Sequence, residues 1–196
     1  MINRRGTIRM GPLSAPILIP MRANAFIRPC FEQDLEMVWL LAAFHAQGGF
    51  AVLEDRALSR AIWQARWASV VNRELPFLVA CTENNPSRVI GFAYADAPLL
   101  GARSLNSPAI ELHLAVTPAL QRHGLGGQLL GQMLEDLRPQ GPQNLFACYG
   151  KPAGASEPSP AEALLRRGGF GHCATLPGAA SKFGRSLDVV IMTRRP

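Results

Sequence analysis

Apolar and polar positions change period along this chain, and the changes mark its elements. AFIRP, from Ala25, is a short extended run stopped by Pro29. In EQDLEMVWLLAAFHA, Leu35, Val38, Trp39, Ala42 and Ala43 fall at helical spacing, and the Gly-Gly-Phe that follows breaks the pattern. LEDRALSRAIWQARWASVVNRE predicts a second helix, with Ile62, Trp63, Trp67, Val70 and Val71 on one side. The period then shortens. PFLVACTE and RVIGFAYAD are apolar runs joined by the turn cluster NNPS, which predicts a hairpin.

APLLGARSLNSP is expected to be an irregular loop, and AIELHLAV a strand in which Glu111 and His113 alternate with Leu112 and Leu114. Leu125, Leu129, Leu130, Met133, Leu134 and Leu137 form a helical stripe ended by Pro139. NLFACYG predicts another strand. SPAEALLRRGGF carries the start and stop signals of a short helix: Ser159 and Glu162 as a capping box, Pro160 at the first helical position, and Gly168-Gly169 at the end. FGHCATL and LDVVIMT are the last two predicted strands. The order is β-α-α-β-β-β-α-β-α-β-β, with no internal repeat.

Composition places this pattern in a globular α/β (α+β) protein. The chain has 196 residues, 48% of them hydrophobic and 17% charged, enough apolar content for a full core. Its net charge of +6 is concentrated at one end, because Arg4, Arg5, Arg9, Arg22 and Arg28 all precede the first acid, Glu32. The remainder is close to neutral, which argues against a nucleic-acid partner. Residues 1–24 are read as a flexible basic extension, since Pro12, Pro16 and Pro20 interrupt its apolar run. Residues 25–196 are read as a single domain. No apolar run is long enough to span a membrane, so no membrane partner is expected. Cys30, Cys81, Cys148 and Cys173 fit no metal-ligand spacing and are read as reduced thiols of a cytoplasmic protein, with no metal.

The most informative stretch is AVTPALQRHGLGGQLL, where Gly124, Gly126 and Gly127 separate a strand from a helix. Glycine costs about 1 kcal/mol relative to alanine inside a helix, so three of them need a reason. A helix start exposes unpaired N–H groups and the positive end of the dipole, and glycine removes the Cβ atoms that would keep a phosphate away. No acid lies between Glu111 and Glu135, while Arg122 and His123 do. GLGGQL lacks the setting of a dinucleotide fingerprint, and Gly150-Lys151 is followed by Pro152 rather than Ser or Thr, which excludes a nucleoside-triphosphate loop. A tightly packed glycine turn without a ligand is the alternative reading.

Gln121-Arg122-His123-Gly124-Leu125-Gly126 resembles the Q/R-x-x-G-x-G/A motif of the GCN5-related N-acetyltransferases. The strand before it, the leucine-rich helix after it and the element order are similar to that family over about Ala25–Thr193. Within it, ELHLAVTPALQRHGLG and the tail ATLPGAASKFGRSLDVVIMTR resemble the phosphinothricin and methionine-sulfoximine acetyltransferase branch. The branch's Lys-x-Gly-x-x-x-Asp-Val sequence corresponds to Lys182, Gly184, Asp188 and Val189. It also carries a glutamate where Glu111 stands.

The resemblance implies a mixed, mostly antiparallel sheet of about seven strands with about four helices. It implies direct transfer of acetyl from acetyl-CoA, as cosubstrate, to an amine. Pantetheine would lie along Leu114, Ala115 and Val116, one of whose N–H groups would serve the carbonyl oxygen. The pyrophosphate would lie on Gln121, Arg122, His123, Gly124, Leu125, Gly126 and Gly127. The acceptor amine must lose a proton, and Glu111 is the acid on the proposed central strand that could take it. An exposed glutamate titrates near pKa 4.3, and burial raises that value. His113, on the same face, is a second candidate for base or substrate binding; a structural histidine or a strand-end carboxylate is the bland reading of the two. Tyr149 is an available hydroxyl for the leaving thiolate, with a core tyrosine the favoured reading.

Three departures stand out. Ser156 or Pro158 falls nearest an asparagine that the family places after the fifth strand. Leu165 occupies a helix position that often bears a tyrosine or histidine. GGFAVLEDRA replaces the branch's usual Asn-Phe-Arg-Thr type of substrate segment. The expected acceptor is a small-molecule amine such as an amino-acid analogue. A catalytically weak acyl-CoA-binding sensor and a protein N-acetyltransferase are the alternatives. The resemblance also allows a homodimer.

Overall fold

The computed structural model describes residues 25–97, 109–141 and 144–195. The proposed extension 1–24 lies outside them, as does nearly all of the APLLGARSLNSP loop. The described residues form fourteen elements, including three short 3-10 turns. The main ones are β1 (Ala25–Pro29), α1 (Leu35–Gly48), α2 (Arg60–Asn72), β2 (Phe77–Thr82), β3 (Asn85–Asp96), β4 (Ala109–Val116), α3 (Leu125–Leu137), β5 (Asn144–Pro152), α4 (Pro160–Arg167), β6 (Gly171–Lys182) and β7 (Arg185–Arg194). The seven strands form one sheet in the order β1-β2-β3-β4-β5-β7-β6. Each neighbouring pair is antiparallel except β4 and β5. The seven-stranded mixed sheet with four α-helices is the expected fold class.

Two layers of helix cover the sheet, as alternation along the strands requires. Trp63 of α2 meets Phe92 and Tyr94 edge-on, at 5.5 and 5.9 Å between ring centroids, on one face. On the other face the Leu129 side chain of α3 reaches Gly91, where a Cβ would stand 3.0 Å from it. The stripe expected of α3 is buried at Leu125, Leu129, Leu130, Met133 and Leu137.

Several boundaries differ from the expected ones. The second helix starts at Arg60, not near Leu53, because Ser59 caps it, its hydroxyl accepting from the Ile62 N–H at 3.3 Å. Residues 53–59 are irregular, and Ile62 is exposed rather than part of the buried side. The hairpin turns at Glu83-Asn84, one step before the NNPS cluster, with Thr82 opposite Asn85. β6 runs to Lys182, past Pro177 and Gly178, because a register shift between Leu176 and Ala180 absorbs both residues. The hairpin closes on Phe183 and Gly184, both at positive φ (52° and 72°). The α4 capping box is half formed. Ser159 accepts from the Glu162 N–H at 3.1 Å, but the Glu162 carboxylate turns to Tyr149 and Arg166 instead of back to Ser159.

Candidate active site

β4 and β5 pair from Ala109↔Asn144 to Glu111↔Phe146 and then separate. β4 continues to Val116 and β5 to Pro152, so their facing edges open as a V at Glu111. Antiparallel alternation tells which β4 groups face the gap. The Thr117 N–H donates to Ile90 O at 2.8 Å, which makes Ala115–Phe92 and His113–Tyr94 the hydrogen-bonded pairs with β3. The N–H and C=O of Leu114 and Val116 therefore face β5's side, whereas those of Ala115 are spent on β3. The Val116 carbonyl already accepts from His45 Nε2 at 2.9 Å and Gln121 Nε2 at 3.3 Å.

A cavity of about 400 Å³ fills the V and passes through the sheet. Its walls on the α2 side include Trp63, Arg66, Tyr94, Glu111 and His113. On the α4 side they include Leu114, Tyr149, Leu164 and Leu165. Glu111, 3% exposed, sits where the strands part. His113 lies on the same face with Nε2 4.0 Å from Glu111 Oε1. Its ring stacks on Tyr94, centroids 4.5 Å apart and planes within 13°. Desolvation and the nearby Arg66 charge push the His113 pKa down to about 3, so the imidazole is neutral at physiological pH and its contact with Glu111 is not an ion pair. Cys148 of β5 lines the same cavity, and burial and the neighbouring Glu111 push its thiol up to about 12, which keeps it protonated.

Two residues that the sequence reading passed over shape this side. Arg66 donates to the Tyr94 hydroxyl at 2.9 Å, and its guanidinium lies 4.8 Å over the Trp63 ring and 4.0 Å from Glu54. The helical period marked Trp63 and Val70 as core but gave no sign that Arg66, between them, turns inward. Tyr94 lies within the predicted strand RVIGFAYAD, where nothing in the pattern sets it apart.

The glycine turn lies against the cavity wall through Gly126, close to the lining residues Leu164 and Leu114. Arg122 (φ 65°) and Gly124 (φ 92°) take left-handed backbone, and Gly124 precedes the first turn of α3. A left-handed arginine is uncommon, and Gly124 meets the same demand without strain. A Cβ at Gly124 or Gly127 would meet nothing within 4 Å, whereas one at Gly126 would stand 3.3 Å from Leu164 Cδ2. The first turn of α3, which opens with Leu125, holds no acid. The Gln121 N–H is bonded to Pro118 O, its side chain to Val116 O, and its carbonyl to His123 Nδ1 at 2.8 Å. Glu111, His113, Leu114 and Ala115 line the cavity, and a Cβ at Gly126 would meet its Leu164 and Leu114; Val116 and the rest of the glycine turn are not among the lining residues, and Arg122 and His123 are exposed.

At the departures, β5 runs on to Pro152 and turns back at Gly154, with Lys151 Nζ bonded to Ala155 O at 3.0 Å. Leu165 is buried against the cavity. Tyr149 donates to Glu162 Oε2 at 3.0 Å; burial, and after it this bond, pushes its pKa up to about 12. Among the described residues no group of three or more His, Cys, Asp or Glu could hold a metal ion, and no helix is long and apolar enough to cross a membrane.

This architecture, a sheet split at its parallel pair with a glycine turn at the mouth, has close counterparts. The chain superposes on the crystal structure of a GNAT superfamily phosphinothricin acetyltransferase from Sinorhizobium meliloti in complex with AcCoA, with a TM-score of 0.76 and 26% identity over 88% of each chain. It superposes on a ribosomal-protein-alanine N-acetyltransferase from Brucella melitensis with a TM-score of 0.72 and 27% identity, over 87% of this chain and 99% of that one. No protein-family model matches the sequence. The chain is thus similar in fold and sequence to the GCN5-related N-acetyltransferases. Within that class it is similar to the phosphinothricin N-acetyltransferase of Alcaligenes faecalis, at 27% identity over 173 residues, 88% of this chain and 83% of that protein.

Proposed function

We propose that the chain transfers the acetyl group of acetyl-CoA to the amine of a small molecule, an amino-acid analogue or similar, with Glu111 taking the amine's proton. The observation that carries the reading is Glu111 itself: a buried carboxylate at the fork of β4 and β5, facing a cavity that reaches both sheet faces. The residues present fit the cosubstrate. Gly124 and Gly127 leave open space before the unpaired N–H groups of α3, which suits a pyrophosphate. The gap-facing amide groups of Leu114 and Val116 suit an extended pantetheine chain. Acetyl-CoA supplies an activated thioester carbonyl.

The Glu111 carboxylate takes a proton from the ammonium; the freed amine lone pair forms the C–N bond at that carbonyl carbon; the carbon–sulfur bond breaks with its electron pair on sulfur; and the remaining excess proton on nitrogen leaves with the CoA thiolate or to solvent. An N–H donor at Leu114 or Val116 offsets charge on the carbonyl oxygen. Neutral His113 can accept a hydrogen bond from the acceptor without competing for its charge. Arg66 brings a cation to the same chamber, so an acceptor bearing both amine and carboxylate meets Glu111 and Arg66 together. The names of the Alcaligenes and Sinorhizobium relatives support a small acceptor of this kind. The free cysteines and the α/β body suit a cytoplasmic enzyme.

The name of the Brucella relative favours a second reading, a protein α-amine as acceptor. Thiol release from acetyl-CoA, measured against a panel of amino acids, their analogues, polyamines and N-terminal peptides, separates the two. Turnover of small amino acids or analogues is expected. Peptides as sole acceptors would favour the second reading, and no turnover with any amine would favour a cofactor-binding sensor.

A further inference from the structure

Lys182 is an unusual residue for a hairpin end. It is 2% exposed, yet it carries an ammonium group. Its Nζ donates to Val52 O at 2.8 Å and lies 5.3 Å from the centre of the Phe183 ring. Burying a cation is costly unless it is paired and hydrogen-bonded, so the fold must gain something from the placement.

What it gains is the position of one segment. Between α1 and α2, residues 49–59 form neither helix nor strand. Ala51, Val52, Leu53, Glu54 and Arg56 nevertheless line the acceptor side of the cavity. With no ladder of its own, this wall is held from outside. The Gly150 N–H donates to Ala51 O at 3.1 Å, and a Cβ at Gly150 would overlap the Phe50 carbonyl oxygen, so β5 touches the segment backbone to backbone. The β6–β7 hairpin grips the same place. The Phe183 ring meets Phe50 at 5.9 Å, Arg185 lies 5.9 Å over Phe50, and Lys182 reaches past them to Val52. Glu54 and Asp55 are the carboxylates that act on the Lys182 charge; they favour its ammonium form, against the larger effect of desolvation.

We propose that Lys182 is a positioning residue for acceptor recognition: from the far hairpin it fixes the 51–56 wall of the acceptor chamber. This rests on the acetyltransferase reading above for the word acceptor, while the tether itself is a matter of structure. It also accounts for the tail pattern physically. Lys182 supplies the tether and Gly184 the left-handed turn behind it. Asp188 holds the hairpin's far side, accepting from the N–H groups of Gly178 and Gly154 at 3.0 and 3.4 Å. The segment contributes Glu54 to Arg66, and through Arg66 it bears on Tyr94 and the His113 stack.

The test uses the full chain with Lys182→Met, which keeps length and loses the donor, and Gly150→Ala, which displaces the same segment from β5 and leaves Lys182 intact. Hydrogen exchange over residues 50–56 should rise about tenfold or more in each variant, with β7 protection unchanged. With a small amine acceptor, acceptor KM should rise about tenfold and acetyl-CoA KM should stay within about twofold. Unchanged exchange over 50–56 in Lys182→Met would overturn the tether, whatever Gly150→Ala does. Exchange rising throughout the sheet in both, or both KM values rising together, would reduce Lys182 to a general stabiliser and overturn the proposal, as would local loosening with an unchanged acceptor KM. If Lys182→Met does not fold, Lys182→Arg, which keeps a charge and a donor but misplaces it from Val52 O, decides by the same criteria. Absence of turnover in the unmodified protein would count against the acetyltransferase reading, and the exchange result would still decide the tether.

Discussion

The imidazole of His113 lies flat on the ring of Tyr94, 4.5 Å between centroids, and Arg66 bonds to the Tyr94 hydroxyl from the far side. A proton on His113 would be placed in desolvated surroundings beside a fixed cation. The ring therefore stays neutral down to about pH 3.

That depressed pKa has a consequence for stability. An unfolded His titrates near pKa 6.5, so between there and about pH 3 the unfolded chain binds a proton that the folded chain refuses. Stability must then fall as pH drops below about 6.5, by up to about 2 kcal/mol at pH 5 for a group so shifted. His45, also lowered by burial, adds to the same slope. His113→Asn should flatten the loss of unfolding free energy between pH 7 and pH 5. An unaltered slope in denaturant titrations would mean that His113 is solvated and protonates in place.

The glycine turn allows a test in which stability and affinity move apart. In Gly127→Glu the new side chain enters open space at the start of α3, and a carboxylate there favours the helix dipole by about 0.3–1 kcal/mol. The variant should be as stable as the parent or slightly more so. Its acetyl-CoA affinity should fall by about tenfold or more, because the charge occupies the place of a phosphate. Gly126→Glu should also lose stability, since its Cβ already crowds Leu164. Calorimetry giving parental affinity for Gly127→Glu would move the pyrophosphate elsewhere.

Tyr149 offers a hydroxyl to the cavity wall but has already committed it to Glu162. Tyr149→Phe should cost about 1 kcal/mol of stability, the usual worth of such a bond, and change turnover by less than about threefold. A loss of about two decades in kcat with normal acetyl-CoA binding would instead make Tyr149 the thiolate's proton donor.

Much of this was legible in the sequence. Period and punctuation are local properties, and the eleven helices and strands appear in the expected order. The glycine turn could be read because it needs only a backbone geometry and an absence of acids. What escaped depends on contacts between distant segments. Residues 53–59 carry helix-compatible residues, but Ser59 caps the helix late and Lys182 and Gly150 claim the backbone before it. Glu162 looked like half of a capping box because Tyr149 lies 13 residues away. The inward turn of Arg66 is set by Tyr94, 28 residues on.

In the proposed reaction Glu111 takes the proton of the amine. Glu111→Gln keeps the shape of the side chain but cannot accept a proton at neutral pH. Turnover at pH 7 should drop by about two to four decades, the usual contribution of a general base. Acetyl-CoA affinity should hardly change, because Glu111 sits on the acceptor's side of the V and the glycine turn on the other. Raising the pH should restore part of the rate, since more of the acceptor is then already deprotonated. His113 cannot substitute as a strong base while its pKa is held near 3, so the double variant Glu111→Gln, His113→Asn should be little worse than Glu111→Gln alone. Glu162→Gln is the control: it weakens the tie between β5 and α4 and should cost stability while leaving turnover within about threefold. A near-normal rate for Glu111→Gln across the pH range would remove Glu111 from the proton transfer and leave that step to an ordered water held by the strand backbone.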